Sequence, residues 1–291
     1  MITKYLSDSM IKSGNSPVFN TPADFGLNAE NVQFRASDGV TLSGWLIKGG
    51  TDKVIIQSHF GVQSSKAGYT PKGKGMMKMW NTDISYLKHA QYLVQQGYSI
   101  LMYDFRNHGE SGEGICPWVT WGPEEHKDVI AAVDYITNHP VYLGCKIGLL
   151  SICMGAASTT YAYGVEDGLK KYTNIKAMIA IQPLLYPDFV AALGLPGFLG
   201  RRVSKLNSKR AGMDLVTTSF MPNVKDIPIP TLVVQNKNDP YLNPDSINQY
   251  YDELRVEKDL LWLDLEKKRA AGYHYLTEQP ADILNFFNKY L

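Results

Sequence analysis

The sequence predicts an α/β fold, a mostly parallel sheet with helices on both faces, and three observations carry that prediction. From residue 54 onward, short apolar runs alternate with segments of helical period, the order that parallel strands with crossover helices produce. One such run, Ile147 to Leu150, is too short for a helix and passes into small residues, Ser151, Gly155, Ala156, Ala157 and Ser158, as a buried strand turning sharply into a helix would. With 291 residues and 44% hydrophobic content, the chain can bury a core for one large α/β domain or two small ones.

Taken in order, residues up to about Ala29 read as a polar lead-in with weak helical period. VQFRA, the turn residues Ser37, Asp38 and Gly39, and VTLSGWLIKG read as a strand–turn–strand pair closed by Gly49 and Gly50. KVIIQSHF is a core strand ending at His59, Phe60 and Gly61. The following AGYTPKGKGMMKMWN reads as a solvated surface loop, and Gly73 and Gly75 within it lack a P-loop or dinucleotide-binding context. Asp83 is an expected N-cap for a helix over ISYLKHAQYLVQQ that stops at Gly97. YSILMYDF is the next strand; Gly122 and Pro123 then open a helix with Glu124 and Glu125 in its first turn and Val129, Val133 and Ile136 on its buried stripe. AMIAIQ, TLVVQN and LLWLDL complete the strands, and ADILNFFNKYL is a closing helix.

The stretch from about Pro183 to Asp226 breaks the alternation and is far longer than an ordinary connection. Glycines and a proline interrupt its large apolar residues, which suits a mobile cover, and Arg201, Arg202, Lys205, Lys209 and Arg210 read as a solvated face. The expected organisation is a core of residues 1–182 and 227–291 with a lid insertion at 183–226 over the carboxyl edge of the sheet.

Composition excludes several functions. A net charge of +1, from 29 basic and 28 acidic residues, argues against nucleic-acid binding. The start MITKYLSDSMIKSG has no apolar signal region and no run is long enough to span a membrane, so a cytoplasmic location is expected. Cys116, Cys145 and Cys153 form neither a disulfide framework nor a metal-ligand spacing, and no metal or cofactor is expected. Oligomeric state is left open.

Cys153 stands at the apex of the strand-to-helix turn in a small-x-nucleophile-x-Gly pattern. A thiol nucleophile needs a base, and the base an orienting acid. TLVVQNKNDPYLNP presents Asp239 after one strand, and LLWLDLEKKRAAGYHYL presents His274 after another. His89 and His126 lie in expected helices, His139 precedes Pro140, and His59 and His108 sit at strand ends before the nucleophile, so His274 fits the base best.

From about Thr21 to Leu291 the chain resembles an α/β-hydrolase. The Cys153 turn is similar to that superfamily's G-x-S-x-G nucleophile elbow, with Ser151 for the first glycine and cysteine for serine. MYDFRNHGESG resembles its D-x-R-G-H-G-x-S turn, with Asn107 where glycine is usual, and SHFG resembles its His-Gly oxyanion segment with the glycine one position late. The resemblance implies a Cys153–His274–Asp239 triad and an oxyanion hole from the Met154 amide with that of Phe60 or Gly61. Cysteine at the elbow resembles dienelactone hydrolases and the polyester synthases. The expected substrate is a small acyl compound, an ester, thioester or lactone cleaved through an acyl-enzyme. Acyl transfer by the same triad and a non-catalytic hydrolase-fold protein are the alternatives.

Overall fold

The computed structural model describes residues 2–13, 16–75 and 78–291. Eight strands form one sheet: β1 (Ala29–Arg35), β2 (Thr41–Ile47), β3 (Lys53–Ser58), β6 (Ser99–Tyr103), β7 (Lys146–Ile152), β8 (Ile175–Ile181), β9 (Thr231–Asn236) and β10 (Lys258–Leu263), with two-residue strands β4 (Gly68–Tyr69) and β5 (Ile84–Ser85) pairing separately. Their order is β1-β2-β6-β3-β7-β8-β9-β10. The β1–β2 and β2–β6 pairs are antiparallel and every other pair in the large sheet is parallel.

The middle strands are apolar in their centres and buried at nearly every position because helices cover both faces. β6 and β9 are buried at every position. On one face α3 (His126–Thr137) packs on α4 (Met154–Gly164), and on the other α2 (Leu87–Gln95), α8 (Arg269–Glu278) and α9 (Pro280–Tyr290) pack together. α7 (Pro244–Glu253) links β9 to β10 and is N-capped by Asn243, whose side chain accepts from the Asp245 amide at 3.2 Å.

Local structure departs from the sequence expectations in five places. The lead-in carries a helix, α1 (Ile2–Ile11), with Met10 and Ile11 buried. Asp83 caps no helix: Ile84 and Ser85 pair as strand and α2 starts after Tyr86. The 67–81 loop is not a solvated excursion, since Ala67, Tyr69 and Lys74 are buried; its Met76 and Met77 lie outside the described residues. Glu125 does not serve the α3 dipole but turns back, accepting from the Thr120 and Gly122 amides at 2.9 and 2.8 Å. The 183–226 stretch is mostly helix, α5 (Tyr186–Ala192) and α6 (Gly197–Ala211), with Gly194 supplying the left-handed turn between them at φ 60°.

α6 does not stand alone over the sheet. α1 packs along it: Arg210 bonds Asp8 at 2.7 Å and stacks 4.3 Å from the Trp118 ring centre, and the Asn207 amide reaches Met10. A segment far away in sequence therefore packs on the 183–226 stretch. Among the described residues no helix is long and apolar enough to cross a membrane.

Candidate active site

β7 delivers Cys153 to the carboxyl edge of the sheet, and α4 begins at the next residue. Cys153 holds φ 53° and ψ −105°, a region a residue with a side chain enters at a cost of ~1–3 kcal/mol. The surroundings enforce it. A Cβ on Gly155 would lie 2.3 Å from the Ser58 carbonyl oxygen, so only glycine lets α4 start against β3. Ser151 needs no glycine's freedom, and its hydroxyl meets Thr159 Oγ1 at 2.9 Å beneath the turn. The Cys153 amide is spent on the Ile181 carbonyl at 2.8 Å.

Above the sulfur is a narrow cavity of about 40 Å³, walled by Phe60, Gly61, Met154, Trp80 and Trp121 from the core. Leu184 and Phe189 reach it from the α5 region, and Ser9 from α1. Phe60 stacks on Tyr273, their ring centres 4.8 Å apart and planes at 10°. Gly61 lies so close to Met154 that a Cβ would come within 2.8 Å of its sulfur. The Phe60 amide faces the Tyr86 hydroxyl at 3.5 Å.

His59 is structural. Its Nε2 accepts from the Phe105 amide at 3.1 Å, so its proton is on Nδ1, which donates to the Phe60 carbonyl at 2.6 Å. Burial, with His108 beside it, pushes its pKa well below 6.5. Asn107 shows why asparagine replaces the resemblance's glycine: it holds φ 65°, which asparagine tolerates, and its amide clasps Gly114 and Cys116 at 2.9 Å.

The structure brings Asp239 to the site but not His274. The Asp239 carboxylate is fully buried and pairs with the Arg269 guanidinium, while also accepting from the Tyr241 amide at 2.9 Å. Arg269 begins α8 and is spread over three partners, Asp239, the Gln182 carbonyl at 2.5 Å and the Tyr273 hydroxyl at 2.8 Å, and it lines the same cavity as Cys153. Burial works against its charge, yet Asp239, with Tyr273 and Cys153 adding, holds its pKa well above the ordinary 12.5. It carries a fixed positive charge and is no base.

His274 lies one helical turn further on, half-buried in a separate surface pocket with Thr82, Glu266 and Glu278, its Nε2 3.5 Å from the Thr82 hydroxyl. The reason is local. The sequence expectation put His274 in a loop, whereas the chain after β10 is helical from Arg269, and the helix turns Arg269 and Tyr273, at i and i+4, toward Cys153. The expected His274–Asp239 pair is therefore not formed.

The remaining histidines are engaged elsewhere: His89 with Gln57, His108 with the Arg106 carbonyl at 2.8 Å, His126 with the Pro123 carbonyl at 2.7 Å, and His139 packed on Tyr135 and Tyr142. Arg269, Tyr273 and Gln182 are site residues that sequence reasoning missed. Gln182 left no signal, but Arg269 and Tyr273 share the R-x-x-x-Y spacing of one helix face. Among the described residues no cluster of His, Cys, Asp or Glu is placed to hold a metal, and all three cysteines are free thiols.

No protein-family model matches the chain. Among solved structures, the esterase Pf2001 of Pyrococcus furiosus aligns with a TM-score of 0.69 at 24% identity, covering 95% of this chain and 99% of the other. A dienelactone hydrolase from Anabaena variabilis aligns with a TM-score of 0.55 at 15% identity, covering 91% and 99%. A curated relative, the uncharacterized protein YqkD of Bacillus subtilis, is 24% identical over 177 residues, 60% of this chain. The matched stretch spans 57% of that relative's length. The sheet and its order are those of the α/β-hydrolase fold.

Proposed function

We propose that this α/β-hydrolase-fold chain is an enzyme that cleaves an ester, thioester or lactone by forming an acyl-thioester on Cys153. The observation that supports this reading most is the strained elbow, which sets Cys153 at a narrow, partly open apolar cavity beside a fixed positive charge, Arg269. A buried structural cysteine has no need of a left-handed backbone at the start of a helix.

The sulfur attacks the acyl carbon, and the oxygen that becomes negative rests between two backbone amides, those of Met154 and Gly61. Gly61 suits this role better than Phe60. The Phe60 carbonyl is tied to His59, and across a trans peptide the Gly61 N–H points the opposite way, whereas the Phe60 amide already faces Tyr86. Asp239 holds Arg269, and Arg269 offsets the charge on the sulfur. At about 40 Å³, against the ~10–15 Å³ that one water needs, the cavity suits a short acyl group. Residues 183–226, joined by α1, act as the lid, since Leu184, Phe189 and Ser9 close the cavity.

A second reading has its own support. With Arg269 where a base would stand, nothing beside Cys153 activates water, so transfer of the acyl group to an amine or thiol competes with hydrolysis. Incubation with p-nitrophenyl acetate, followed by intact-mass and peptide analysis, tests the shared step. One acetyl group on Cys153, absent from Cys153→Ala, is the expected result. Turnover by Cys153→Ala equal to the unaltered protein would refute it.

A further inference from the structure

Tyr273 is held at both ends. Its ring stacks on Phe60, centres 4.8 Å apart and planes at 10°, and meets Trp80 edge-on at 5.9 Å. Its hydroxyl oxygen accepts from Arg269 Nε at 2.8 Å. Arg269 stands four residues earlier on α8, so the two side chains share one helix face. The guanidinium is fixed in turn, one nitrogen paired with the Asp239 carboxylate and another donating to the Gln182 carbonyl at 2.5 Å. A phenol oxygen can accept one hydrogen bond and donate another. With Nε–H on one side of the oxygen, the O–H is left on the other, and among the described residues no acceptor takes it. Bulk solvent does not take it either, since Tyr273 is 1% exposed. A buried donor left unspent calls for a partner that the fold itself does not supply. Tyr273, Arg269 and Cys153 line one cavity, the space in which the acyl group reacts.

Acylation of a thiol has a use for that proton. The tetrahedral species holds two candidate leaving groups, the sulfur and the substrate's own oxygen, and the weaker base departs more readily. A thiolate belongs to an acid of pKa ~8.5, whereas an alkoxide approaches hydroxide, whose acid is water at ~15.7. An alkoxide therefore leaves ahead of sulfur only if a proton reaches it as the C–O bond breaks. His274 is not placed to give one, because it sits in a separate pocket against Thr82. Tyr241 lines the cavity too, but its ring only packs edge-on against Phe189 and no hydrogen bond among the described residues fixes its hydroxyl.

We propose, on the basis of the acyl-Cys153 reading above, that Tyr273 is the general acid of acylation, protonating the leaving oxygen of the substrate, with Arg269 as its positioning residue. Cys153 gives its proton to solvent and the sulfur's electron pair adds to the carbonyl carbon. The sulfur–carbon bond stays as the C–O bond breaks. The leaving oxygen takes the bonding pair together with the Tyr273 proton and departs as an alcohol. The phenolate left behind faces the Arg269 guanidinium, which offsets its charge until a proton returns from solvent. One proton is released and one is taken up, so no further reactant is needed. Burial raises the Tyr273 pKa well above 10, with the Arg269 charge opposing, so the resting phenol is an acid and not a base.

The test follows acetyl-Cys153 formation from p-nitrophenyl, phenyl and ethyl acetate by intact mass at neutral pH on the full chain. It compares the unaltered protein with Tyr273→Phe, which keeps the ring stack and removes the proton, and with Tyr241→Phe. General acid assistance is worth about 10²–10⁴-fold, and p-nitrophenolate, the weakest base of the three, needs least of it. Tyr273→Phe should therefore lower the ratio of the ethyl rate to the p-nitrophenyl rate by ~100-fold or more. Arg269→Lys, which keeps the charge without the Nε–H, should lower the same ratio, and an unchanged ratio there would overturn the positioning role. A Tyr273→Phe protein that slows all three esters alike would mean a structural role only and overturn the proposal. So would a fall in the ratio confined to Tyr241→Phe, or an unaltered protein acetylated by p-nitrophenyl acetate and not by ethyl acetate. If no ester acetylates Cys153 in the unaltered protein, the acyl-enzyme reading itself fails and the general acid with it.

Discussion

Asp239 and Arg269 form a buried ion pair at the carboxyl edge of β9, both side chains almost wholly out of solvent, in the place where the sequence leads one to expect Asp239 and an imidazole. The pair turns an expected proton relay into a fixed dipole. Its positive end lines the cavity that holds Cys153 and its negative end is held by the Tyr241 amide.

Removing one partner should be felt chiefly as instability. Asp239→Ala leaves a buried guanidinium uncompensated, a loss of about 3–5 kcal/mol, while the double variant Asp239→Ala/Arg269→Met should recover part of it. Urea unfolding of the two singles and the double measures this. Additive losses would mean that the two side chains are not coupled.

His274 should be dispensable. A histidine serving as base contributes about 10²–10⁴-fold, whereas His274→Ala should leave acetyl-Cys153 formation within about twofold of the unaltered protein. Burial lowers the His274 pKa, with Lys88 adding to the effect against Glu278 and Glu266, and that titration should not shape the pH–rate profile. A rate collapse in His274→Ala would bring the imidazole back to the nucleophile.

Three buried histidines make the fold acid-sensitive. Burial pushes His59 and His108 below their usual range and His89 down to about 3, so the unfolded chain binds protons that the native state refuses. Their stabilisation is whole above ~6.5 and is lost as pH falls, at up to about 1.4 kcal/mol per pH unit each. Asp128 works in the opposite sense: burial against the pull of Arg106 pushes it up to about 7, so it offsets one histidine between about 7 and its ordinary value. His126 and His274, which burial also holds below the usual range, add in the same direction as the three, so stability should fall steadily below pH 6. Denaturant midpoints from pH 7.5 to 5 check this, and a flat profile would contradict it.

The parallel sheet was legible because β6, β7, β8 and β9 are apolar runs at ordinary spacing. So was the position of Cys153 on the turn, because a steep apex demands small residues such as Gly155. The partner of Asp239 was not. Arg269 closes the charged run EKKR, which reads as solvent-facing, and nothing in its composition says that its last member is buried. The reversal comes from phase: α8 begins at Arg269, and a start a few residues later would free His274 to occupy a loop. The α1–α6 contact was equally hidden, since a short polar helix acquires its buried side from partners about 100 and 200 residues away.

That contact has a bearing on how substrate reaches the sulfur. Ser9 and Phe189 overhang the same opening, yet one belongs to the first helix and the other to the insertion, and Asp8 and Arg210 latch their supports together. The roof is a single plate riveted from two pieces. On the proposed lid reading, either both swing away as a unit, or the latch parts and one leaf lifts, and only the second route leaves the other leaf guarding the thiol. Whatever weakens the Asp8–Arg210 latch changes the choice between them without touching a residue that meets the acyl group.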